Sequence, residues 1–285
     1  GIDGIDTLKG IETLRFADQD VDISPAGKTI NGNNEDELIN GDVSDDVIRG
    51  GGGNDTLKGY QGDDTLDGGD GDDTIEGGEG NDTLDGGKGN DTLDGGDGDD
   101  IIYGQEGNDT INSGDGIDTI FGGSGNDTIQ VGGSSSLGAR ALDQFIDAGD
   151  GDDNISASNN GSSGHVVPKI LAGDGNDTIS SGFYYLDAGD GDDTVNLSSW
   201  QASNEKGRVF GPENTREDFL IEFLDGGAGN DTIIFGSGTY VNNYALENSD
   251  KYDDLKYWGD VIVNFENINY SANLQLGSQI GQAGE

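Results

Sequence analysis

Aspartate returns at every ninth residue through the middle of this chain, at Asp55, Asp64, Asp73, Asp82, Asp91, Asp100, Asp109, Asp118 and Asp127. A glycine stands two residues before each, from Gly53 to Gly125, and an aliphatic residue two residues after, from Leu57 to Ile129. Carboxylates delivered at fixed spacing by glycine-rich turns, together with the outward-facing carbonyls of those turns, form an oxygen-only donor set. Such a set suits Ca2+, which takes roughly 6 to 8 oxygens at about 2.3 to 2.6 Å, better than Mg2+, which holds its waters. Transition metals lack ligands, because cysteine is absent and His165 is the one histidine. The same turn recurs after Gln130, supplying Asp153, Asp177, Asp193 and Asp231 as further metal-ligand candidates.

The elements that must position these carboxylates follow from the repeat. From Gly50 to Gln130 a nine-residue unit is written nine times without a gap, as in Gly77-Gly78-Glu79-Gly80-Asn81-Asp82-Thr83-Leu84-Asp85. Counting from that first glycine, position 4 is always Gly, position 6 always Asp and position 8 always Leu or Ile. Six glycine-rich residues are expected to turn through positive φ, and three, such as Thr83-Leu84-Asp85, to form a short strand with only the middle side chain pointing inward. Two units then make a coil of 18 residues with a turn at each edge, and stacked coils cover one another's position 8.

Residues 1–30 read as boundary strands of a longer protein, ending near Pro25 and Gly27. Degraded copies at Asp36/Leu38 and Asp46/Ile48 open a regular roll over 31–130. The later turns start at 148, 172, 188 and 226, with spacings that rule out consecutive units. Over 131–235 they are expected to continue the edge that holds the units starting at 50, 68, 86, 104 and 122, while loops of varied length replace the opposite edge. Residues 236–285 are expected to cap the open end, with closing strands within Val261 to Ile268. Nine turns on one edge leave eight gaps and four on the other leave three, an expectation of about 11 inter-turn ions.

Residues Gly50 to Gln130 resemble the haemolysin-type, or repeats-in-toxin (RTX), calcium-binding domain, and imperfect copies extend the resemblance to roughly 31–235. The resemblance implies an all-β, right-handed parallel β-roll (a β-solenoid). In it, position 6 aspartates bridge calcium ions between successive coils, and carbonyls of glycine and of position 3 or 5 complete the shell. It also implies an extracellular or cell-surface bacterial protein, exported unfolded by type I secretion machinery and folding outside, where calcium is abundant.

Composition narrows the partners. Fifty-eight acidic residues against 13 basic ones leave a formal net charge of −45, which excludes nucleic acid and argues against anionic membranes. No stretch approaches the ~20 apolar residues of a membrane-spanning helix. One small aliphatic side chain per nine residues cannot offset ~1 kcal/mol or more of backbone entropy per ordered residue, so metal must supply the difference. The chain is expected to be disordered without metal and folded with it.

Other motifs carry less. Threonine at position 7 is explained by strand propensity, and the Asn-Asp-Thr sequons by the repeat itself. Gly69-Asp70-Gly71 imitates a nucleotide loop but lacks the following Lys-Ser/Thr. Charged residues at position 3, such as Asp70, Glu79 and Lys88, argue against an ice-binding face. His165 has no acid-base partner at any telling spacing and reads as a loop residue. Aromatics gather late in the chain; they are expected to form the hydrophobic cap, with Tyr184, Tyr185, Trp200, Tyr244 and Trp258 as candidate loop contacts to a polysaccharide or protein. The function expected is a non-catalytic calcium-dependent module, for instance of an adhesin. The alternative is a carbohydrate-binding, protein-binding or folding module attached to a secreted protease, lipase or alginate epimerase.

Overall fold

Each nine-residue unit places six residues in a strand and three in a turn. Thr83–Lys88 and Thr92–Asp97 are strands, and Gly89-Asn90-Asp91 turns the chain between them. This computed structural model describes residues 13–15, 20–22, 27–132, 144–157, 168–180, 183, 185–197, 223–235, 262–263 and 267–270. The strands are thus twice the length expected from the sequence. The reason is that positions 1 to 3, including two glycines, stay extended enough to pair with the coil 18 residues away, as Gly96 does with Gly114 and Asp97 with Asp115.

Two 11-stranded parallel sheets result, among the described residues, with successive strands alternating between them. The first contains Val47–Gly52, Thr65–Asp70, Thr83–Lys88, Ile101–Glu106 and Thr119–Ser124, then Phe145–Asp150, Lys169–Asp174, Tyr185–Asp187, Phe223–Asp225 and Ile262–Val263. The second runs from Leu38–Asn40 through Thr56–Gln61 and Thr128–Val131 to Thr232–Phe235 and Asn267–Tyr270. Thr29–Asn31 opens the first sheet beside Val47–Gly52, and Thr13–Arg15 pairs antiparallel with Asp20–Asp22 as a separate ribbon. The architecture is the parallel β-roll that the repeat predicts.

Between the sheets lies a column of position 8 side chains, Ile48, Leu57, Leu66, Ile75, Leu84, Leu93, Ile102, Ile111, Ile120 and Ile129, at most 1% exposed. Ile146, Ile155, Ile170, Ile179, Leu186, Val195 and Ile233 continue it without exposure. Like residues therefore stack on like at the ~4.8 Å spacing of paired strands, and the core is one or two side chains wide.

Chain passing from the first sheet to the second does so in three residues at every coil from Gly53 to Asp177, and in six at 188–193 and 226–231, where isolated bridges at Asp190 and Ala228 keep the same path, so that edge is uniform. On the return edge the turns stay short up to Ile117-Asp118. Longer connections then join Val131 to Phe145, Ala157 to Lys169, Leu197 to Phe223 and Phe235 to Ile262. Their interiors lie outside the described residues.

Candidate metal centre

The turns gather the aspartates into two buried columns. Asp55, Asp73, Asp91, Asp109, Asp127, Asp153, Asp177, Asp193 and Asp231 line the uniform edge; Asp64, Asp82, Asp100 and Asp118 line the return edge; none is more than 2% exposed. Each backbone N–H in the uniform column donates to Oδ1 of the aspartate one coil on, from Asp55 to Asp73 at 2.7 Å through to Asp193 and Asp231 at 2.9 Å. The ladder holds even where the sequence separation becomes 26, 24, 16 and 38 residues. On the return edge Asp64 donates to Asp82 and Asp82 to Asp100, both at 2.8 Å, and Asp100 to Asp118 at 3.1 Å.

The other carboxylate oxygen has no such partner. Oδ2 of Asp55, Asp73, Asp91, Asp109, Asp127, Asp153, Asp177 and Asp193 on one edge, and of Asp64, Asp82 and Asp100 on the other, is buried with no hydrogen-bond donor. Position 1 glycine explains where it sits. A Cβ on Gly86 would come 2.5 Å from Oδ2 of Asp91 and 2.9 Å from the Gly104 carbonyl oxygen of the next coil. In the regular coils that glycine leaves space beside the carboxylate and does not serve positive φ, which belongs to positions 2 and 4. In the later coils Ala148, Ala172 and Ala188 put a buried methyl group at position 1.

A buried, ionised oxygen without a donor costs several kcal/mol unless a cation meets it. From Asp55 to Asp127 on one edge and from Asp64 to Asp100 on the other, a carbonyl oxygen of the next coil borders the same space, as that of Gly68 does for Asp55, and such paired hard oxygens fit calcium. Among the described residues no three acidic or histidine side chains converge on one point, so backbone carbonyls must supply much of any shell.

Burial pushes these carboxyls upward from 3.8, with neighbouring aspartates adding to the shift and the ladder bond opposing it. Asp64 rises to about 6, Asp82 to about 6, Asp91 to about 7 and Asp100 to about 8. Asp127, Asp153 and Asp193 reach about 7 and Asp177 about 6, while Asp55, Asp73 and Asp109 move in the same direction. A raised folded-state value means that the metal-free roll binds protons the unfolded chain does not. Its stability is therefore full below about pH 3.8 and is lost as pH rises through 6 to 8. Metal-free protein brought from pH 8.5 to pH 5 is expected to gain β-structure by circular dichroism; a spectrum that stays disordered or loses β-signal would contradict this.

The first degraded copy sits one residue later than expected: Glu37 and Ile39, not Asp36 and Leu38, take positions 6 and 8, because the Glu37 N–H donates to Asp55 Oδ1 and Ile39, paired with Leu57, is the side chain that reaches the core. Asp46, 1% exposed, heads the return column, and its N–H donates to Asp64 Oδ1 at 2.6 Å. A second, exposed ladder runs along position 5: Asn54 Oδ1 accepts from the Asp72 N–H at 3.1 Å, Asp72 from Asn90 at 2.8 Å, and Asp192 from Asn230 at 2.9 Å. The mixture of Asn and Asp at this position was the available signal, since either side chain can accept a backbone N–H.

Among the aromatic candidates, Tyr184, Trp200, Tyr244 and Trp258 lie outside the described residues. Tyr185 is not in a loop. It begins the strand Tyr185–Asp187, paired in register with Lys169 and Phe223, because Leu186 must occupy position 8 in the core. Its half-buried ring takes the Lys169 ammonium 4.8 Å from its centroid, beside a Phe121–Phe145 edge contact and a Tyr103–Phe121 stack at 5.1 Å. Phe183 is 2% exposed and belongs to the core.

A search of curated proteins finds no match to this chain. The family model for the RTX calcium-binding nonapeptide repeat (4 copies) matches residues 31–66, 40–75, 58–93, 76–111, 85–120, 112–135, 169–183 and 223–241. It passes over the turns at 148–153 and 188–193, which the aspartate ladder nevertheless includes. Repeats of this kind bind calcium, and with columns of donorless carboxylate oxygens facing carbonyls, the repeat-bearing part of the chain, 31 to 241, belongs to the RTX calcium-binding nonapeptide repeat family.

Proposed function

We propose that this chain is a non-catalytic module of a secreted or cell-surface bacterial protein, which stays unfolded until calcium outside the cell condenses it into the roll. The observation that carries the reading is the row of buried Oδ2 atoms without donors. A fold that places so many carboxylates out of water needs a counter-cation at each coil, and the net charge of −45 supplies a further reason for it to open when calcium is scarce. Asp55, Asp73, Asp91, Asp109, Asp127, Asp153, Asp177 and Asp193 supply eight such oxygens, and Asp64, Asp82 and Asp100 supply three. This supports about 11 ions, one per gap between coils.

Calcium titration of the chelated chain, followed by circular dichroism, tests the export logic. The folding midpoint is expected on the order of 10⁻⁴ to 10⁻³ M, the range of extracellular calcium modules. A midpoint below about 10⁻⁷ M would mean folding at cytosolic calcium and would remove the basis for delayed folding.

A second reading, that the module also holds polysaccharide or protein, draws support from the half-buried aromatic row Tyr103, Phe121, Phe145 and Tyr185 on the outer face of the first sheet. A glycan array probed in calcium buffer would detect the polysaccharide form of it.

A further inference from the structure

The columns of donorless oxygens are bounded. At three coil ends the equivalent carboxylate is met by protein donors instead. On the uniform edge the first such group is Glu37, whose carboxylate accepts from the Asn33 N–H at 2.9 Å and from the Asn33 side-chain amide. On the return edge Asp46 accepts from the Lys28 N–H at 2.5 Å and, through Oδ2, from the Asp42 N–H at 2.8 Å. At the far end of that edge, Asp118 departs from every other position 6 aspartate between Asp64 and Asp127 in having Oδ2 engaged, by the Gln144 side-chain amide at 3.3 Å.

The chemistry at Asp118 is the most built of the three. Ser113 replaces the position 1 glycine of all other regular units and is wholly buried. Its hydroxyl hydrogen-bonds the Asp118 carboxylate and accepts from the Gly132 N–H at 3.2 Å. Gln144 stands where the next aspartate of the return column would be, since the Phe145 N–H donates to the Asp118 carbonyl and the Lys169 N–H to the Gln144 carbonyl, as Thr110 does to Asp91. Gln144 is also fully buried; its amide N–H serves Asp118, and its Oε1, a neutral oxygen, is the one atom of the pair left without a donor. A neutral amide thus replaces one carboxylate, and a hydroxyl fills the space that glycine leaves open in the other regular units.

Resting on the calcium reading above, we propose that these groups are end-stops: Ser113 and Gln144 take the place of an ion at Asp118, so that the return edge carries calcium only as far as Asp100. The roll is then closed, without metal, at the point where its short return turns give way to long connections. The uniform edge keeps an aspartate at every coil and leaves Oδ2 of Asp127, Asp153 and Asp177 without a donor, so it continues to carry ions past that point.

The test compares the full chain with the double variant Ser113→Gly/Gln144→Asp, which restores the regular turn. Bound calcium per chain, measured by elemental analysis after equilibrium dialysis, is expected to rise by one ion in the variant. Anomalous diffraction from crystals of the unaltered chain grown in calcium is expected to show ions at Asp64, Asp82 and Asp100 and none between Asp118 and Gln144. An ion found there, or a folded variant that gains no calcium, overturns the end-stop. A chain that binds no calcium anywhere would instead overturn the function itself, and should the variant not fold, the crystal of the unaltered chain still decides.

Discussion

Chelating calcium at neutral pH is expected to abolish nearly all of the parallel β-structure, and restoring it at millimolar concentration to bring the structure back. Two features of the roll make this the largest effect. Its core is a single column, from Ile48 to Ile233, set in a chain with 54 glycines, so apolar burial per ordered residue is small and the backbone entropy lost is large. Against that thin margin stand the aspartate columns, ionised at neutral pH in the unfolded chain and held out of water in the folded one. Removing the ions leaves each coil with an uncompensated buried charge, and breaking one such pairing alone costs about 3–5 kcal/mol. Far-ultraviolet circular dichroism with and without EDTA reads the outcome directly. A chain that retains its β-spectrum in the chelator would show that packing and ladder bonds suffice, and the metal-dependent account would be wrong.

The second large effect concerns one glycine. Gly107 has φ of 141°, and a Cβ there would land on the carbonyl oxygen of Gly89 in the coil below. Gly107→Ala therefore meets both a backbone conformation that costs an L-residue about 1–2 kcal/mol and a collision with main chain that cannot swing aside. The collision recurs in kind at every position 4 glycine, so the neighbouring coils have no slack to absorb a shift. Thermal unfolding in saturating calcium is expected to fall by several degrees or to become non-cooperative at the centre of the roll. Gly52→Ala is the matched control. Its φ lies outside the left-handed region and its Cβ would find nothing nearer than the Asp70 carbonyl oxygen at 3.5 Å, so stability should hold or rise slightly. Equal losses in the two variants would show that glycine content, and not these particular turns, governs the fold.

The parallel roll was legible because, in the nine regular units, position 8 is never polar and position 4 never anything but glycine, and this leaves the chain one way to bury its Leu and Ile. Where the aspartates would gather was legible from the same spacing, and the turns beginning at Ala148, Ala172, Ala188 and Gly226 kept enough of it to be placed on one edge. Strand length was hidden. Glycines at positions 1 and 2 advertise a turn by propensity, yet pairing with identical coils on both sides keeps them within the strand, as at Gly69 between Gly51 and Gly87, in spite of its positive φ. The partnerships of Ser113 and Gln144 with Asp118 were hidden for another reason. They join residues 5 and 26 positions apart, and the larger separation exists only once the connection after Val131 has been assigned to the return edge. Tyr185 misled because it follows Phe183 and Tyr184, a run that reads as a loop or cap until Leu186 is recognised as the core residue.

The two side-chain ladders point in opposite directions along the axis. Each buried aspartate accepts from the coil before it, and each exposed position 5 side chain accepts from the coil after it, as the pairs Asp73 to Asp55 and Asn54 to Asp72 show. Every junction is thus clasped once from each side, and neither end of the stack presents a weaker seam than the other. Under tension applied to its two ends, such a stack would yield as a ratchet of discrete steps. Each regular step would pay out 18 residues, about 60 Å of extended chain, and the later steps would become unequal, at 26, 24, 16 and 38 residues.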